Sequence, residues 1–423
     1  MQIKIKNDFT KNILILMTGT TVAQAIPIAI SPILTRVYTP DDFGIFALFM
    51  AIASIFGSIA NARYDLAIML PKKDEDAINI FALGFIITSV LSSFLFIIII
   101  VFSDNLKKLL NNTDISFWLY FVPIAVFFTG VFNLLSYFNN RRKNYKDIAN
   151  ATIFKSIVLA IVQLSVGFFK SGAGGLISGQ LLSQVFANAR LMKNIINDRV
   201  LVSRIKVVKI VALAKRYKNF PKFSMWAILA NTLSYHLTNI LISILYSIST
   251  LGFYSLVQRV LGMPSSLVGG SISQVFFQEA SKEKQKTGVA IYTFNATIKK
   301  LIMIAVPSFS ILFFFVEDLF AIVFSEEWRI AGEYAKIVLP FFFIKFIASG
   351  ISVVLPLFEK QKVEIIWQLL LITITLTVLV VSKFLDLDFK LTIFLLMIVW
   401  SVHYSILIFI CRQIVNNRLF RRR

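Results

Sequence analysis

Residues 77–102 read AINIFALGFIITSVLSSFLFIIIIVF, without one charged side chain. A bilayer-spanning helix needs about 20 mostly apolar residues, and this stretch exceeds that. The same window finds twelve candidate spans along the chain. Six lie near 13–35, 43–62, 77–102, 117–138, 148–169 and 174–191. Six more lie near 222–246, 252–275, 290–316, 334–358, 363–384 and 390–411. Spans five and six are the least apolar, so ten or eleven spans also fit. The whole composition agrees. Of 423 residues, 57% are hydrophobic, 14% aromatic and 15% charged, with a mean hydropathy of +0.78. An ordinary soluble domain is about 25% charged, and its limited interior could not hide so much apolar surface. A disordered chain and a soluble enzyme are thereby excluded in favour of an all-α polytopic membrane protein.

One cysteine, Cys411, excludes an internal disulfide or a cysteine-based zinc cluster. Two histidines, His236 and His403, leave little for a metal site. Neither a metal nor a cofactor is expected.

The net charge of +21, from 43 Lys and Arg against 22 Asp and Glu, first suggests nucleic acid. Its placement points elsewhere. The basic residues cluster in alternate gaps between spans, whereas a nucleic-acid binder gathers them on one soluble face. With twelve spans, the rich set of gaps runs from Lys4, Lys6 and Lys11 through Arg63–Lys73, Arg141–Lys146 and Arg190–Lys222. It continues through Lys282–Lys300 and Lys360–Lys362 to the tail Arg412–Arg423. The opposite set holds only Arg36, Lys107, Lys108, Lys170, Arg329, Lys336, Lys383 and Lys390. The positive-inside rule makes the rich set, and both termini, cytoplasmic. Ala23-Gln24-Ala25 fits an A-x-A cleavage site. The stretch before it is broken by Thr18, Gly19, Thr20 and Thr21 and continues apolar to Leu34, so an uncleaved first span is expected.

Residues 1–200 and 201–423 each hold six spans. Because six is even, any repeat is parallel, about an axis along the membrane normal. The turn Thr39-Pro40-Asp41-Asp42-Phe43-Gly44-Ile45-Phe46 has a counterpart 208 positions later in Ser249-Thr250-Leu251-Gly252-Phe253-Tyr254. Phe9-Thr10-Lys11 and Phe220-Pro221-Lys222 open the two halves. Between them, residues 192–220 interleave Val200, Leu201, Ile205, Val208, Ile210, Val211 and Leu213 with Arg204, Lys206, Lys209, Lys215 and Arg216. This suits a helix on the inner leaflet, and equally a solvated linker that orients the protein. Prolines 27, 32, 123, 264, 307, 340 and 356 fall inside spans, where each tends to kink its helix.

A Lys or Arg in mid-bilayer costs at least about 2.5–3.5 kcal/mol, so it usually faces water or a partner. Arg259, beside Gln258, lies in span eight; Lys345 lies in span ten and Lys155 in span five. Arg63 and Asp65 close span two at the cytoplasmic side, and Arg36 closes span one outside. Gln24, Asn231, His236 and Gln258 add neutral polar groups. No acidic residue sits at mid-span to neutralise these cations, so an anionic substrate is expected. The plainer readings are that Lys155 snorkels to the surface, that Arg63 and Asp65 pair at the interface, and that His236 is a packing residue. Catalytic motifs are missing. Asp386-Leu387-Asp388 has the D-x-D form of nucleotide-sugar enzymes, but it sits in a short external loop without a domain around it. There is no phosphate-binding G-x-x-x-x-G-K-[ST], and no loop is long enough for an ATPase. Transport would draw on ion or substrate gradients, or on a partner.

Leu34-Thr35-Arg36-Val37-Tyr38-Thr39-Pro40-Asp41-Asp42-Phe43-Gly44 resembles the Wzx-type polysaccharide flippases. So does Arg63-Tyr64-Asp65-Leu66-Ala67-Ile68, followed by Leu70-Pro71. In the second half, Phe220-Pro221-Lys222-Phe223-Ser224, Asn231 and Gln258-Arg259-Val260-Leu261-Gly262-Met263-Pro264 are similar again. The resemblance implies the multidrug/oligosaccharidyl-lipid/polysaccharide exporter superfamily: two six-helix lobes around a central cavity, working by alternating access. It implies a substrate, an undecaprenyl-diphosphate-linked oligosaccharide, flipped to the outer leaflet of the bacterial inner membrane for O-antigen, lipopolysaccharide or capsule synthesis. Implied partners are that lipid-linked oligosaccharide, membrane lipids, and the polysaccharide polymerase and chain-length proteins. Related lipid II flippases hold the diphosphate with cavity arginines, a role this resemblance carries to Arg259 and, less closely, Arg63. The expected substrate-binding set is Arg259, Lys345, Arg63, Lys155, Arg36, Gln24, Asn231 and Gln258. Cations suit a diphosphate through charge-assisted, bidentate hydrogen bonds. The rivals are an ion-coupled multidrug exporter of the same superfamily and a membrane glycan polymerase. The first wants acidic residues in the first lobe's helices. The second wants a large external loop with arginines, against gaps here of only 103–116 and 317–333.

Overall fold

The computed structural model describes residues 18–110, 114–169 and 172–416. The readings placed on Lys4, Lys6, Lys11, Phe9-Thr10-Lys11, Lys170 and the tail beyond residue 416 lie outside these. Among the described residues the chain is helical, with no strand. The long helices are α1 (18–37, broken once at Ile30), α2 (Pro40–Ser58), α3 (Asp74–Val101), α4 (Val122–Arg141), α5 (Tyr145–Phe168) and α6 (Gly174–Ile196). A short α7 (Val207–Arg216) precedes α8 (Met225–Leu245) and α9 (Ile248–Pro264). Then come α10 (Gly270–Thr287), α11 (Ile291–Phe324), α12 (Arg329–Ile351), α13 (Gln361–Phe384) and α14 (Phe389–Val415).

Ten stretches of described helix are long and apolar enough to cross a membrane, with α9 and α10 counted as one. The expected first span begins before the described residues, and α6 has the length but not the hydropathy. Its Gln180, Gln184, Asn188 and Asn194 explain why. The protein is a multi-pass, all-α membrane protein.

Several boundaries differ from the hydropathy reading. The supposed external gap 317–333 is mostly helix: α11 runs to Phe324 and the chain turns at Ser325, which takes φ 89°. Charged Glu317 and Asp318 ended the apolar window, not the helix. Gap 103–116 likewise holds helical turns at Ser103–Leu110 and Asp114–Leu119. Pro32 and Pro123 sit in the first turns of Ser31–Val37 and α4, where a missing N–H costs nothing. Pro264 leads into a π-helical turn, Ser265–Gly269, that joins α9 to α10.

The chain forms two compact units, Met1–Ile244 and Leu245–Arg423. In the first, α5 and α6 pack most extensively, and α4 meets α2, α3 and α6. One end of this unit has an apolar core of Ile78, Ile80, Leu134, Leu135 and Leu191, which also takes in Leu201 and Leu213 of the connection after α6. In the second, α12 is the hub, packed on α11, α14 and α9.

The 208-residue recurrence extends into hydrogen bonding. Thr39 caps α2, its hydroxyl accepting from Asp42 N–H (3.3 Å) while the Asp42 carboxylate accepts from Thr39 N–H (3.0 Å). Ser247 caps α9 with the first of these two bonds, its hydroxyl accepting from Thr250 N–H at 3.0 Å. A tyrosine precedes each cap. Tyr38 donates to the Gln163 carbonyl on α5 (2.6 Å), and Tyr246 pairs with the Thr392 hydroxyl on α14 (2.6 Å). Gly167 and Gly175 let the Tyr38 ring approach α5 and α6; a Cβ on Gly175 would lie 1.9 Å from its hydroxyl oxygen. Burial and then Asp42 push the Tyr38 hydroxyl pKa up to about 12, so it stays a donor.

Candidate functional site

The candidate polar residues fall in both units. Gln24, Arg36, Arg63, Lys155 and Asn231 belong to the first; Gln258, Arg259 and Lys345 belong to the second. Arg36 is exposed, and its guanidinium donates to the Pro32 carbonyl one turn back. Gln24 is exposed on α1, and Asn231 is half-buried on α8.

Arg63 sits where the chain leaves α2. Ala62 (φ 48°) and Arg63 (φ 65°) are both left-handed, although neither is glycine, a conformation costing about 1–2 kcal/mol per residue. The two turns redirect the chain into the short helix Tyr64–Ala67. Asp65, 2% exposed, lies 3.8 Å from the guanidinium of Arg63, which is 21% exposed. Asp65 is the one acidic side chain in the buried set of the described residues. Its Oδ1 and the Arg63 Nε are both buried without a hydrogen-bond partner. Burial raises the Asp65 carboxyl pKa, and the Arg63 charge only partly offsets this. The expected interface pairing thus exists, but it leaves donor and acceptor capacity unused.

Lys155, on α5, is half-buried with its ammonium 5.1 Å from the centre of the Phe132 ring on α4. Lys345, on α12, lies over two rings of its own helix, 5.6 Å from Phe341 and 5.3 Å from Phe342. Neither lysine has an acidic partner among the described residues. Phe341 in turn packs on Trp400 and Tyr404 of α14, at 5.1 and 5.4 Å. A ring face attracts a cation by about 0.5–2 kcal/mol without neutralising it.

Arg259 is half-buried on α9, and Gln258 hydrogen-bonds with Tyr254 one turn back. The register of α9 on α12 is fixed at two places. Phe253 packs edge-to-face on Tyr334 (6.3 Å), and Gly269 abuts Ser349 so closely that a Cβ would meet its hydroxyl at 2.0 Å. Arg259 is thereby level with the Leu339–Pro340 turn of α12. At 1.5 Å per residue, that is about 9 Å along the helix from Lys345. The second unit carries two cations at two heights on adjoining helices.

The D-x-D motif is structural. Asp386 takes φ 51°, and the Asp388 carboxylate caps α14 by accepting from Leu391 N–H at 2.9 Å. Sequence reasoning missed a polar seam in the first unit. The Thr129 hydroxyl on α4 donates to the Gln184 side-chain oxygen on α6 (3.2 Å), and the Asn188 amide donates to the Phe128 carbonyl (2.9 Å). The low hydropathy of span six was its trace. Among the described residues no cluster of His, Cys, Asp or Glu could hold a metal.

Residues 33–332, more than half of the chain, match the family described as "Polysaccharide biosynthesis protein". The succinoglycan biosynthesis transport protein ExoT of Rhizobium meliloti (strain 1021) is 23% identical over 317 residues, 71% of this chain. The match spans 59% of that relative's length. Among solved structures, the lipid II flippase MurJ in an inward closed conformation superposes with a TM-score of 0.67 at 13% identity, over 96% of this chain and 91% of that one. An inward-facing multidrug resistance MATE family transporter of the MOP superfamily gives 0.65 at 13% identity, over 96% and 95%. At these identities the likeness concerns the fold.

Proposed function

We propose that this chain, which belongs to the polysaccharide biosynthesis protein family, is a flippase for a lipid-linked oligosaccharide. The carrier is undecaprenyl diphosphate, moved by alternating access from the cytoplasmic to the outer leaflet of a bacterial inner membrane for O-antigen or capsule synthesis. Both termini are cytoplasmic, and the two six-span halves divide at the basic connection near residue 200. The observation that carries this reading is Lys345: an intramembrane ammonium lodged on two phenylalanine rings with no acidic partner among the described residues. Such a charge is costly in hydrocarbon, and a diphosphate entering from water would complete it with short, charge-assisted hydrogen bonds. Within the second unit Arg259, a turn and a half away along the bundle, adds a bidentate donor; the first unit carries its own candidate cations, Lys155, Arg36 and Arg63, the last paired with Asp65. Gln24, Asn231 and Gln258 offer amide groups to sugar hydroxyls.

A drug/cation antiporter would want the opposite: carboxylates within the first unit's spans. The buried carboxylate, Asp65, lies beyond the end of α2 and is already matched with Arg63.

The test is lipid-linked glycan sidedness in vesicles from cells with and without the protein. Outer-leaflet exposure should require the protein, fall severely with Arg259→Ala or Lys345→Gln, and persist with Lys345→Arg. Exposure independent of the protein, with altered drug efflux or glycan polymerisation instead, would overturn the reading.

A further inference from the structure

The connection between α6 and α8 is not a free tether. The α7 helix buries Ile210 and Leu213 against the first unit. The Tyr64 hydroxyl donates to the Ala214 carbonyl at 3.0 Å. Asn79 binds both sides of the preceding turn, donating to the Arg204 carbonyl (3.1 Å) and accepting from Lys206 N–H (2.8 Å). On the same side, Lys209 is neutralised by Glu75 at 3.0 Å, and Arg204 reaches the same carboxylate at 3.9 Å. These ties fix the rotation of α7 about its axis.

What they leave outward is unusual for a helix in water. At 100° per residue, Val207, Val208, Val211, Ala212, Lys215 and Arg216 share one half of the helix. Val207 is 75% exposed and Val208 82%. Lys215, Arg216 and Lys218, exposed at the C-terminal end, have no acidic partner among the described residues. The inward carboxylates of Glu75 and Asp76 are committed to Lys209 and Arg204. Apolar and uncompensated basic groups thus occupy the same face, whereas a solvated linker would turn its valines inward.

We propose that this face of α7 lies in the membrane interface and binds anionic phospholipid headgroups. Val207, Val208 and Val211 enter the acyl boundary, while Lys215, Arg216 and Lys218 meet the phosphates. A helix with a committed apolar arc and terminal basic residues matches the chemistry of an in-plane amphipathic anchor. Near an anionic leaflet each basic residue strengthens binding by about 1 kcal/mol, or roughly fivefold. The assignment requires only that the chain lie in a bilayer and is independent of what the protein transports.

The experiment uses the full-length protein. Cys411 is fully buried, so Val208→Cys supplies the reactive thiol of the folded chain for a nitroxide label. Collisions with a water-soluble and a membrane-soluble relaxant are compared in nanodiscs of phosphatidylcholine alone and of phosphatidylcholine with phosphatidylglycerol. With phosphatidylglycerol the label should lose access to the aqueous relaxant and gain access to the membrane one. Replacing Lys215, Arg216 and Lys218 with Gln should abolish that lipid dependence, with helicity and elution volume unchanged. A label open to water in both lipids would overturn the proposal and leave the face to a soluble partner. Immersion in both lipids, indifferent to the Gln substitutions, would overturn the headgroup assignment.

Discussion

The Arg63–Asp65 pair makes the most discriminating test of how this fold holds a charge. The two groups lie 3.8 Å apart, where at an effective dielectric of about 20 their attraction is roughly 4 kcal/mol. Yet the Asp65 carboxyl pKa is raised, because burial outweighs the attraction. The partners are not equivalent: Arg63 keeps 21% exposure and can hydrate its charge, while Asp65, at 2%, cannot. Arg63→Ala strands a buried carboxylate and should cost about 3–5 kcal/mol, roughly 10 °C in the thermal midpoint of a unit this size. Asp65→Asn removes the stranded charge and should be neutral or stabilising. The double variant should melt near Asp65→Asn alone, so the two effects are strongly non-additive.

The pH dependence carries a sign. A folded pKa raised above the unfolded value means that folding binds a proton. The contribution of Asp65 to stability is therefore fully present below the ordinary aspartate pKa and is lost as pH rises through the raised value. Wild type should melt lower at pH 8 than in mild acid, by a component absent from Asp65→Asn, and the Arg63→Ala deficit should shrink on acidification. Circular dichroism of the detergent-solubilised protein across this pH range measures all four species. Additive effects, or an Arg63→Ala deficit as large in acid as at pH 8, would refute the reasoning. A stable double variant that no longer transports would assign Arg63 to substrate rather than to the fold.

Gly175→Ala drives a methyl into the Tyr38 hydroxyl, 1.9 Å away, and breaks its bond to Gln163. It should destabilise the first unit by about 1–3 kcal/mol, and adding Tyr38→Phe, which removes the clashing oxygen, should bring the double variant close to Tyr38→Phe alone; melting curves decide. Asp388→Ala removes the α14 cap and should cost about 1 kcal/mol, whereas Asp388→Asn keeps the cap. Glycan sidedness should persist in both, since loss in the Asn variant would mean that the carboxylate does chemistry.

Much of this was legible in the chain. Hydropathy windows such as 77–102 found the spans, because a bilayer demands long apolar helices whatever their neighbours. Lys155, Arg259 and Lys345 stood out as candidates because charge inside such a window is costly. Thr39-Pro40-Asp41-Asp42 stood out as a turn with a counterpart 208 positions later, and the structure shows that this turn caps α2. Hydropathy failed where helices outlast their apolar part, as α11 does past Glu317 and Asp318; it found α6 but not the partners of its Gln and Asn seam.

Only the tertiary structure decided what depends on packing between distant segments. It put the Lys155 ammonium on the Phe132 ring, closed Tyr38 over Gly175, and gave Asp388 the cap of α14. It also turned the basic connection into a helix with one fixed outward face, since the ties to Tyr64, Glu75 and Asn79 span over a hundred residues of sequence. Local composition sets whether a segment can enter the membrane. Which side chain it meets there is set by contacts that no local window contains.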